Sequence, residues 1–245
     1  MTTARIMTYN INQCRGSDGH VNPDRILNVI ADAAPDIVVL QQVGAVHHAD
    51  ILPYLEDRSG LDAYRDVTAG PLAYLSYFPL RGVQNFDLGH GGGCLRADVE
   101  LGGKRLHLLN VCLDTLPRFR SHQVAHLLGS ELLGNPSLVC PALILGDFAD
   151  FLWGAGNLEL ASVLRRARRP LWRGTYPARL PIFGRDRAYL RGGVRILDAS
   201  INYSYLARQA SRHLPLTLTV QITDTRRAVK LKQLAGAGRM EAAPG

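Results

Sequence analysis

The stretch Leu143-Ile144-Leu145-Gly146-Asp147-Phe148-Ala149 combines a continuous apolar run with a glycine and a carboxylate at its end. An apolar run this short, bounded by turn residues, is typical of a strand that is covered on both faces. The carboxylate then lies where the strand ends and where loops leave room for a ligand. The sequence therefore predicts a buried strand over residues 142–145 that delivers Asp147 to the rim of a sheet.

Strand-like and helix-like segments alternate on both sides of this stretch. The strand-like segments are residues 5–10, 37–40, 94–99 and 106–113, and the helix-like segments are residues 22–31, 51–59 and 119–133. Gly102-Gly103 predicts a tight hairpin between two of the strands. Several strands end in polar residues, among them Asn10, Gln41 and Gln42. Such an alternation favours an α/β fold with polar side chains gathered at one edge of a sheet.

The length and composition favour one globular domain. The chain has 245 residues, 47% of them hydrophobic, and no linker-like stretch divides it. We expect a domain over residues 1–223 and a basic, flexible tail over residues 224–245. Apolar runs are much shorter than the roughly 18 residues that span a bilayer, so we expect a soluble, cytoplasmic protein without a transmembrane segment. The four cysteines show no paired spacing, which favours reduced thiols.

The formal net charge of +7 favours polyanionic partners. Nucleic acid, anionic lipid headgroups and phosphorylated small molecules all remain compatible with it. One basic cluster comprises Arg165, Arg166, Arg168, Arg169 and Arg173. It has two interpretations, a solvated helix face or a surface that contacts phosphates. A second cluster, around Arg226-Arg227, lies in the expected tail.

A second motif, Ser211-Arg212-His213-Leu214-Pro215, completes an ordered set of segments. With residues 143–149, it resembles the endonuclease/exonuclease/phosphatase superfamily of metal-dependent phosphoesterases, whose motifs read Ser-Asp-His-x-Pro and Gly-Asp-Phe-Asn. Further similar segments are residues 7–12, 36–43, 75–79, 109–113, 175–181 and 186–189. The resemblance implies a DNase I-like four-layer α/β sandwich, in which two mixed β-sheets pack face to face with helices outside. It also implies Mg²⁺ or Mn²⁺ as cofactor and a phospholipid, sugar-phosphate or nucleic-acid substrate.

Four positions match catalytic residues of that superfamily. Asn10 matches an asparagine at the metal or phosphate site, and Asp147 the aspartate that orients the attacking water. His213 matches the catalytic histidine, and Asp186 the carboxylate that holds its ring. The resemblance therefore implies that the groups which handle the proton are present.

Four other positions depart from the pattern. Gln42 replaces the main metal-binding glutamate, and an amide carries no charge to hold a divalent cation. Arg212 replaces an aspartate near the metal, and Ala149 an asparagine that donates to the phosphate. Cys112 replaces a histidine near the transition-state oxygens. We therefore expect weak metal binding and impaired hydrolysis, with Arg212 contributing to phosphate binding.

Other functions remain open from the sequence alone. The chain could be a divergent but active phosphodiesterase, with Asp114 or Asp150 compensating for lost ligands, or a nucleic-acid-binding module that uses the cluster at residues 165–173. A homologue that binds a protein partner is a further possibility. Three further groups of side chains are candidates for other chemistry. Cys112 and His213 could form a nucleophilic pair, and His122 and His126 could form a metal site. His47-His48 could line the cleft.

Overall fold

The computed structural model describes residues 3–46, 49–68, 70–136, 138–150, 155–167 and 174–223. Its strands are β1 (Thr3–Asn10), β2 (Ile37–Gln41), β3 (Ala45–Val46), β4 (Ala49–Asp50), β5 (Asp62–Tyr64), β6 (Ala73–Ser76), β7 (Leu80–Gly89), β8 (Gly92–Leu101), β9 (Lys104–Cys112), β10 (Ala142–Asp147), β11 (Arg165–Arg166), β12 (Asp186–Arg191), β13 (Val194–Ile201) and β14 (Leu216–Ile222). Its helices are α1 (Pro23–Ala33), α2 (Leu52–Ser59), α3 (Pro117–Leu128), α4 (Ala155–Val163) and α5 (Tyr205–Ala210).

Two six-stranded mixed sheets form the centre of the molecule. The first has the order β13-β14-β1-β2-β6-β5, and the second has the order β11-β12-β10-β9-β8-β7. Each sheet contains one parallel pair at its middle, β1 with β2 and β9 with β10, while the other neighbours are antiparallel. Each parallel pair therefore ends with two carboxyl-terminal residues side by side.

The side chains of β10 alternate between two apolar cores. Leu143 and Leu145 belong to the core between the sheets, whereas Ala142 and Ile144 belong to a second core under α3 and α4. This alternation follows from the two-residue period of a strand. Buried residues of α1, α2 and α5 cover the outer face of the first sheet. The predicted four-layer sandwich with a doubly covered β10 is thus confirmed.

Local sequence signals explain several element boundaries. The Asn22 side chain accepts a hydrogen bond from the Arg25 N–H at 3.2 Å, and Pro23 opens α1, as expected for a capped helix start. Gly102 and Gly103 both have positive φ, which gives the predicted two-residue hairpin between β8 and β9.

Two predicted elements need correction. The helix predicted over residues 119–133 ends at Leu128, because the chain turns at Gly129, whose N–H donates to the His126 carbonyl oxygen. Arg165 and Arg166 form β11 at the edge of the second sheet, so the helix-face interpretation is wrong for these two residues. The remaining arginines of that cluster, the His47-His48 pair and the tail over residues 224–245 lie outside the described residues.

All four cysteines are free thiols. None of the helices in the described part of the chain has the length and hydropathy that crossing a bilayer requires.

Candidate active site

The site lies where the central parallel pairs of the two sheets end. Asn10 is the last residue of β1 and Asp147 the last residue of β10, and both are fully buried. The Asn10 side-chain N–H donates to Asp147 Oδ2 at 3.0 Å, which joins the two sheets at this rim. Asp147 also lies opposite Cys112 on β9 and opposite Asp186 on β12. The topology therefore brings together residues that are far apart in the sequence.

The carboxylate of Asp147 accepts four hydrogen bonds. Oδ1 accepts from the Ala149 N–H at 2.9 Å and from Arg185 Nε at 3.2 Å. Oδ2 accepts from Asn10 at 3.0 Å and from Arg185 Nη2 at 3.1 Å. A carboxylate has about four lone-pair positions, so these donors occupy its acceptor capacity. Burial acts to raise the pKa of Asp147, but the charges of His213 and Arg185 outweigh it and lower the pKa.

His213 and Asp186 form a second buried pair. His213 Nδ1 lies 2.9 Å from Oδ2 and 3.2 Å from Oδ1 of Asp186, and Nε2 lies 3.8 Å from Asp147 Oδ2. Burial acts to lower the pKa of His213, but the carboxylates of Asp186 and Asp147 outweigh it and raise the pKa. Asp186 thus holds one nitrogen of the ring, and the Asp147 carboxylate lies on the side of the other nitrogen.

The loop before β14 fixes the position of His213. The Ser211 hydroxyl donates to the Asn10 carbonyl oxygen at 2.7 Å and accepts from the His213 N–H at 3.2 Å. The Tyr176 ring packs against the imidazole, with 4.8 Å between ring centroids. Ser211, which opens the second motif, therefore positions the histidine next to it.

Arg185 is a site residue that the sequence interpretation missed. It comes directly before β12, and its guanidinium binds Asp147 in a bidentate manner while it lies over the Tyr176 ring at 4.6 Å. The charges of Asp147 and Asp186 raise the pKa of Arg185 against the effect of burial. The segment of residues 186–189 drew attention to Asp186, but no feature of the sequence indicated that Arg185 turns back onto Asp147.

Gln42 and Arg212 lie at the periphery of this group. Gln42 follows β2 with a φ of 54° and is partly buried, and within the described residues its side chain forms no hydrogen bond. Arg212 is exposed, its carbonyl oxygen accepts from the Ala178 N–H at 2.7 Å, and its guanidinium has no ion-pair partner in the described ranges. Both residues are therefore close in sequence to the site without taking part in its buried hydrogen bonds.

Ala149 and Asp150 continue the loop after Asp147. Ala149 has a φ of 49°, a left-handed conformation that asparagine adopts more readily than alanine. Its carbonyl oxygen accepts from Arg120 at 2.9 Å, and Arg120 also pairs with the Asp150 carboxylate at 3.1 Å. Asp150 is thus ion-paired with a buried arginine, and in the described part of the chain it belongs to no group of three potential metal ligands. Asp114 instead accepts from the Leu116 N–H at 2.6 Å in a local turn.

Cys112 does not have the properties of an activated nucleophile. Burial raises the pKa of its thiol, and the nearby charge of Asp147 raises it further, although Arg185 acts in the opposite direction. Among the described residues, its sulfur forms no hydrogen bond with His213. The structure therefore offers no support for the Cys112–His213 pair.

Among the residues that the structure describes, Asp147, Asp186 and His213 form the group that could hold a metal ion. Each offers a ligand atom, and these atoms lie within 4.8 Å of one another. However, the acceptor positions of Asp147 are taken, Asp186 holds the His213 ring, and Gln42 supplies only an amide. Since Mg²⁺ is bound chiefly through carboxylate oxygens and water, the residues present do not fit a tightly held Mg²⁺ ion.

Solved structures share this fold. An endonuclease/exonuclease/phosphatase from Beutenbergia cavernae superposes with a TM-score of 0.72 at 18% identity, covering 91% of this chain and 72% of the other. A mannosyl-6-phosphatase from Bacteroides thetaiotaomicron superposes with a TM-score of 0.72 at 15% identity, covering 89% and 100%. The human Nocturnin catalytic domain with bound sulfate superposes with a TM-score of 0.69 at 19% identity, covering 90% and 95%.

Sequence comparison provides the assignment that these distant structural matches do not. No curated protein matches the chain significantly. The model of the endonuclease/exonuclease/phosphatase family matches residues 7–213, from the middle of β1 to the buried histidine. This range includes every residue of the buried site, from Asn10 to His213. The chain therefore belongs to the endonuclease/exonuclease/phosphatase family.

Proposed function

We propose that this protein binds a phosphate-bearing ligand at the rim of its two sheets and that its metal-dependent phosphoester hydrolysis is impaired. The observation that carries this proposal is the saturated carboxylate of Asp147. In the superfamily, the matching aspartate orients the attacking water. Here Arg185, Asn10 and the Ala149 N–H occupy its oxygens instead.

The charges at the rim support a phosphate ligand. Arg185 carries a partly exposed guanidinium inside the site, and Arg212 carries an exposed one beside His213. Guanidinium groups match the geometry of phosphate oxygens and bind them without a metal. Two structural relatives are consistent with such a ligand, since one is a mannosyl-6-phosphatase and the other was solved with a bound sulfate anion.

Binding of inorganic phosphate and of a sugar phosphate tests this function. The measurement is isothermal titration calorimetry in the presence of EDTA, with Arg212→Ala as the test variant. We expect the unmodified protein to bind without metal and Arg212→Ala to bind about tenfold more weakly, because it lacks one charge-assisted contact. Arg58→Ala, an exposed arginine on α2, is the matched control and should bind normally. Absence of phosphate binding, or binding that requires a divalent metal, contradicts the proposal.

A working but divergent phosphodiesterase is the second candidate. The observation that favours it is the intact arrangement of His213 between Asp186 and Asp147. In that case His213 would transfer a proton and Asp186 would stabilise its imidazolium. Turnover of nucleic-acid, phospholipid or sugar-phosphate substrates with Mg²⁺ or Mn²⁺, abolished by His213→Ala, would establish this candidate instead.

A further inference from the structure

Arg185 is held in the site by its backbone and by its side chain. Its carbonyl oxygen accepts from the Phe148 N–H at 3.0 Å, and it directly precedes Asp186, which is the register partner of Asp147. The main chain at Arg185 and Asp186 is therefore tied to the end of β10. The position of the guanidinium follows from this local pairing of strands.

The guanidinium contacts Asp147 with the geometry of a strong ion pair. Nε and Nη2 donate in parallel to the two oxygens of the carboxylate, at 3.2 Å and 3.1 Å. The Tyr176 ring covers the guanidinium at 4.6 Å, and the Arg185 side chain is only 15% exposed. Bidentate pairs of this kind are specific in geometry and stronger than single hydrogen bonds. Arg185 is therefore a fixed part of the site and not a surface side chain.

Arg185 supplies a positive charge at the carboxylate that a cation would have to approach. Its guanidinium contacts both oxygens of Asp147, at 3.2 Å and 3.1 Å. A divalent cation bound to the same carboxylate would therefore lie close to this guanidinium. Like charges in a partly buried site repel strongly, so the arrangement disfavours an added cation.

We propose that Arg185 takes the place of a divalent cation in this site, saturating Asp147 and making the site independent of metal. The inference rests on the proposed function and deepens it, since it names the group that replaces the metal at the phosphate site. Two of the five guanidinium N–H donors are bound to Asp147. No described residue accepts from the other donors, which are thus available to phosphate oxygens.

Titration of Mg²⁺ and Mn²⁺ by calorimetry tests this inference. The variant is Arg185→Met, which keeps much of the side-chain volume and removes the charge. We expect little metal binding by the unmodified protein. Arg185→Met should bind the metal at least about tenfold more tightly, because removing a unit charge frees Asp147 and relieves the repulsion. The matched control is Arg179→Met, an exposed arginine near the rim whose side chain contacts Ser17 instead of Asp147. It should behave like the unmodified protein.

Two outcomes would overturn the inference. One is a folded Arg185→Met protein that binds metal no better than the unmodified protein, with folding checked by circular dichroism and thermal unfolding. The other comes from Gln42→Glu, which restores the carboxylate at a partly exposed position while Arg185 stays in place. Because Arg185 still saturates Asp147, we expect this variant to gain no tight metal binding. Tight Mg²⁺ binding by Gln42→Glu would show that Arg185 does not exclude the metal, even if Arg185→Met fails to fold.

This experiment separates the inference from the proposed function. If Arg185→Met gains metal but the unmodified protein binds no phosphate in EDTA, only the proposed function fails. If the unmodified protein binds phosphate in EDTA but Arg185→Met gains no metal, only the role of Arg185 fails.

Discussion

His213 shows at the scale of one residue how the site controls a proton. The residue is 4% exposed, yet the carboxylates of Asp186 and Asp147 raise its pKa above the ordinary histidine value, against the effect of burial. The folded protein therefore holds this proton more tightly than the unfolded chain. The resulting stabilisation is complete below about pH 6.5, the usual histidine value, and is lost as the pH rises through the pKa of the folded state.

His213→Asn should remove this dependence on pH. The free energy of unfolding of the unmodified protein should fall above about pH 6.5, by about 1.4 kcal/mol for each unit by which the pKa is raised. The free energy of unfolding of His213→Asn should change less with pH over the same interval. Urea titrations at several pH values measure both profiles, with His122→Asn on the exposed face of α3 as the control. Parallel profiles for His213→Asn and the unmodified protein would contradict the role of the two carboxylates.

At the scale of elements, the end of β10 depends on a close approach to β9. Gly146 has a φ of 147°, and a Cβ atom at this position would lie 1.9 Å from the Val111 carbonyl oxygen. The oxygen belongs to the backbone of the neighbouring strand, so it cannot move aside without disturbing the sheet. The glycine before Asp147 is therefore required by the pairing of the two parallel strands.

Gly146→Ala should destabilise the protein by about 3 kcal/mol or more, because overpacking and an unfavourable backbone conformation act together. Gly60→Ala is the matched control. Gly60 ends α2 with a φ of 68°, but a Cβ atom there would meet open space. Gly60→Ala should lower the free energy of unfolding by about 1 kcal/mol. Equal losses for the two variants in thermal or urea unfolding would show that contact with Val111 is unimportant.

At the scale of the whole molecule, buried amides join the sheets beneath the site. The Asn110 side-chain N–H groups on β9 donate to the carbonyl oxygens of Leu40 at 2.8 Å and Ala73 at 3.1 Å, in the opposite sheet. Gln41 in turn donates to Asn110 Oδ1 at 2.8 Å. These bonds satisfy polar groups that would otherwise be costly to bury. Asn110 and Gln41 therefore fix how the two sheets pack against each other below the rim.

The two apolar cores should protect their thiols until the molecule unfolds. Cys14 belongs to the larger apolar core, which includes buried residues of α1, and Cys94 lies in the core under α3 and α4. Burial raises the pKa of each to about 12. Native protein treated with iodoacetamide at about pH 8 should retain both as unmodified thiols, because alkylation requires thiolate and access. The partly exposed Cys140 should react first. Mass spectrometry of the digested protein measures the modification of each cysteine. If Cys112 reacted as fast as Cys140, the interpretation of Cys112 as an activated thiol would be supported.

Much of the fold was predictable because its signals are local. The cap at Asn22, the glycines of the hairpin and the apolar alternation of β10 each act over a few residues, and each appears in the structure. The helix-face interpretation is wrong at Arg165 and Arg166 because a two-residue edge strand has no periodicity of its own. Its pairing with β12 depends on a strand more than twenty positions away in sequence.

In the candidate site, too, some features follow from the local sequence and others depend on tertiary contacts. The sequence by itself determined the family, the apolar segments that become strands, and the residues Asn10, Asp147, Asp186 and His213 at or next to their ends. Only the tertiary structure decided that Arg185 binds both oxygens of Asp147, because that contact arises from the antiparallel register of β10 and β12. Side-chain contacts across strands depend on register and burial, which no single stretch of the chain encodes.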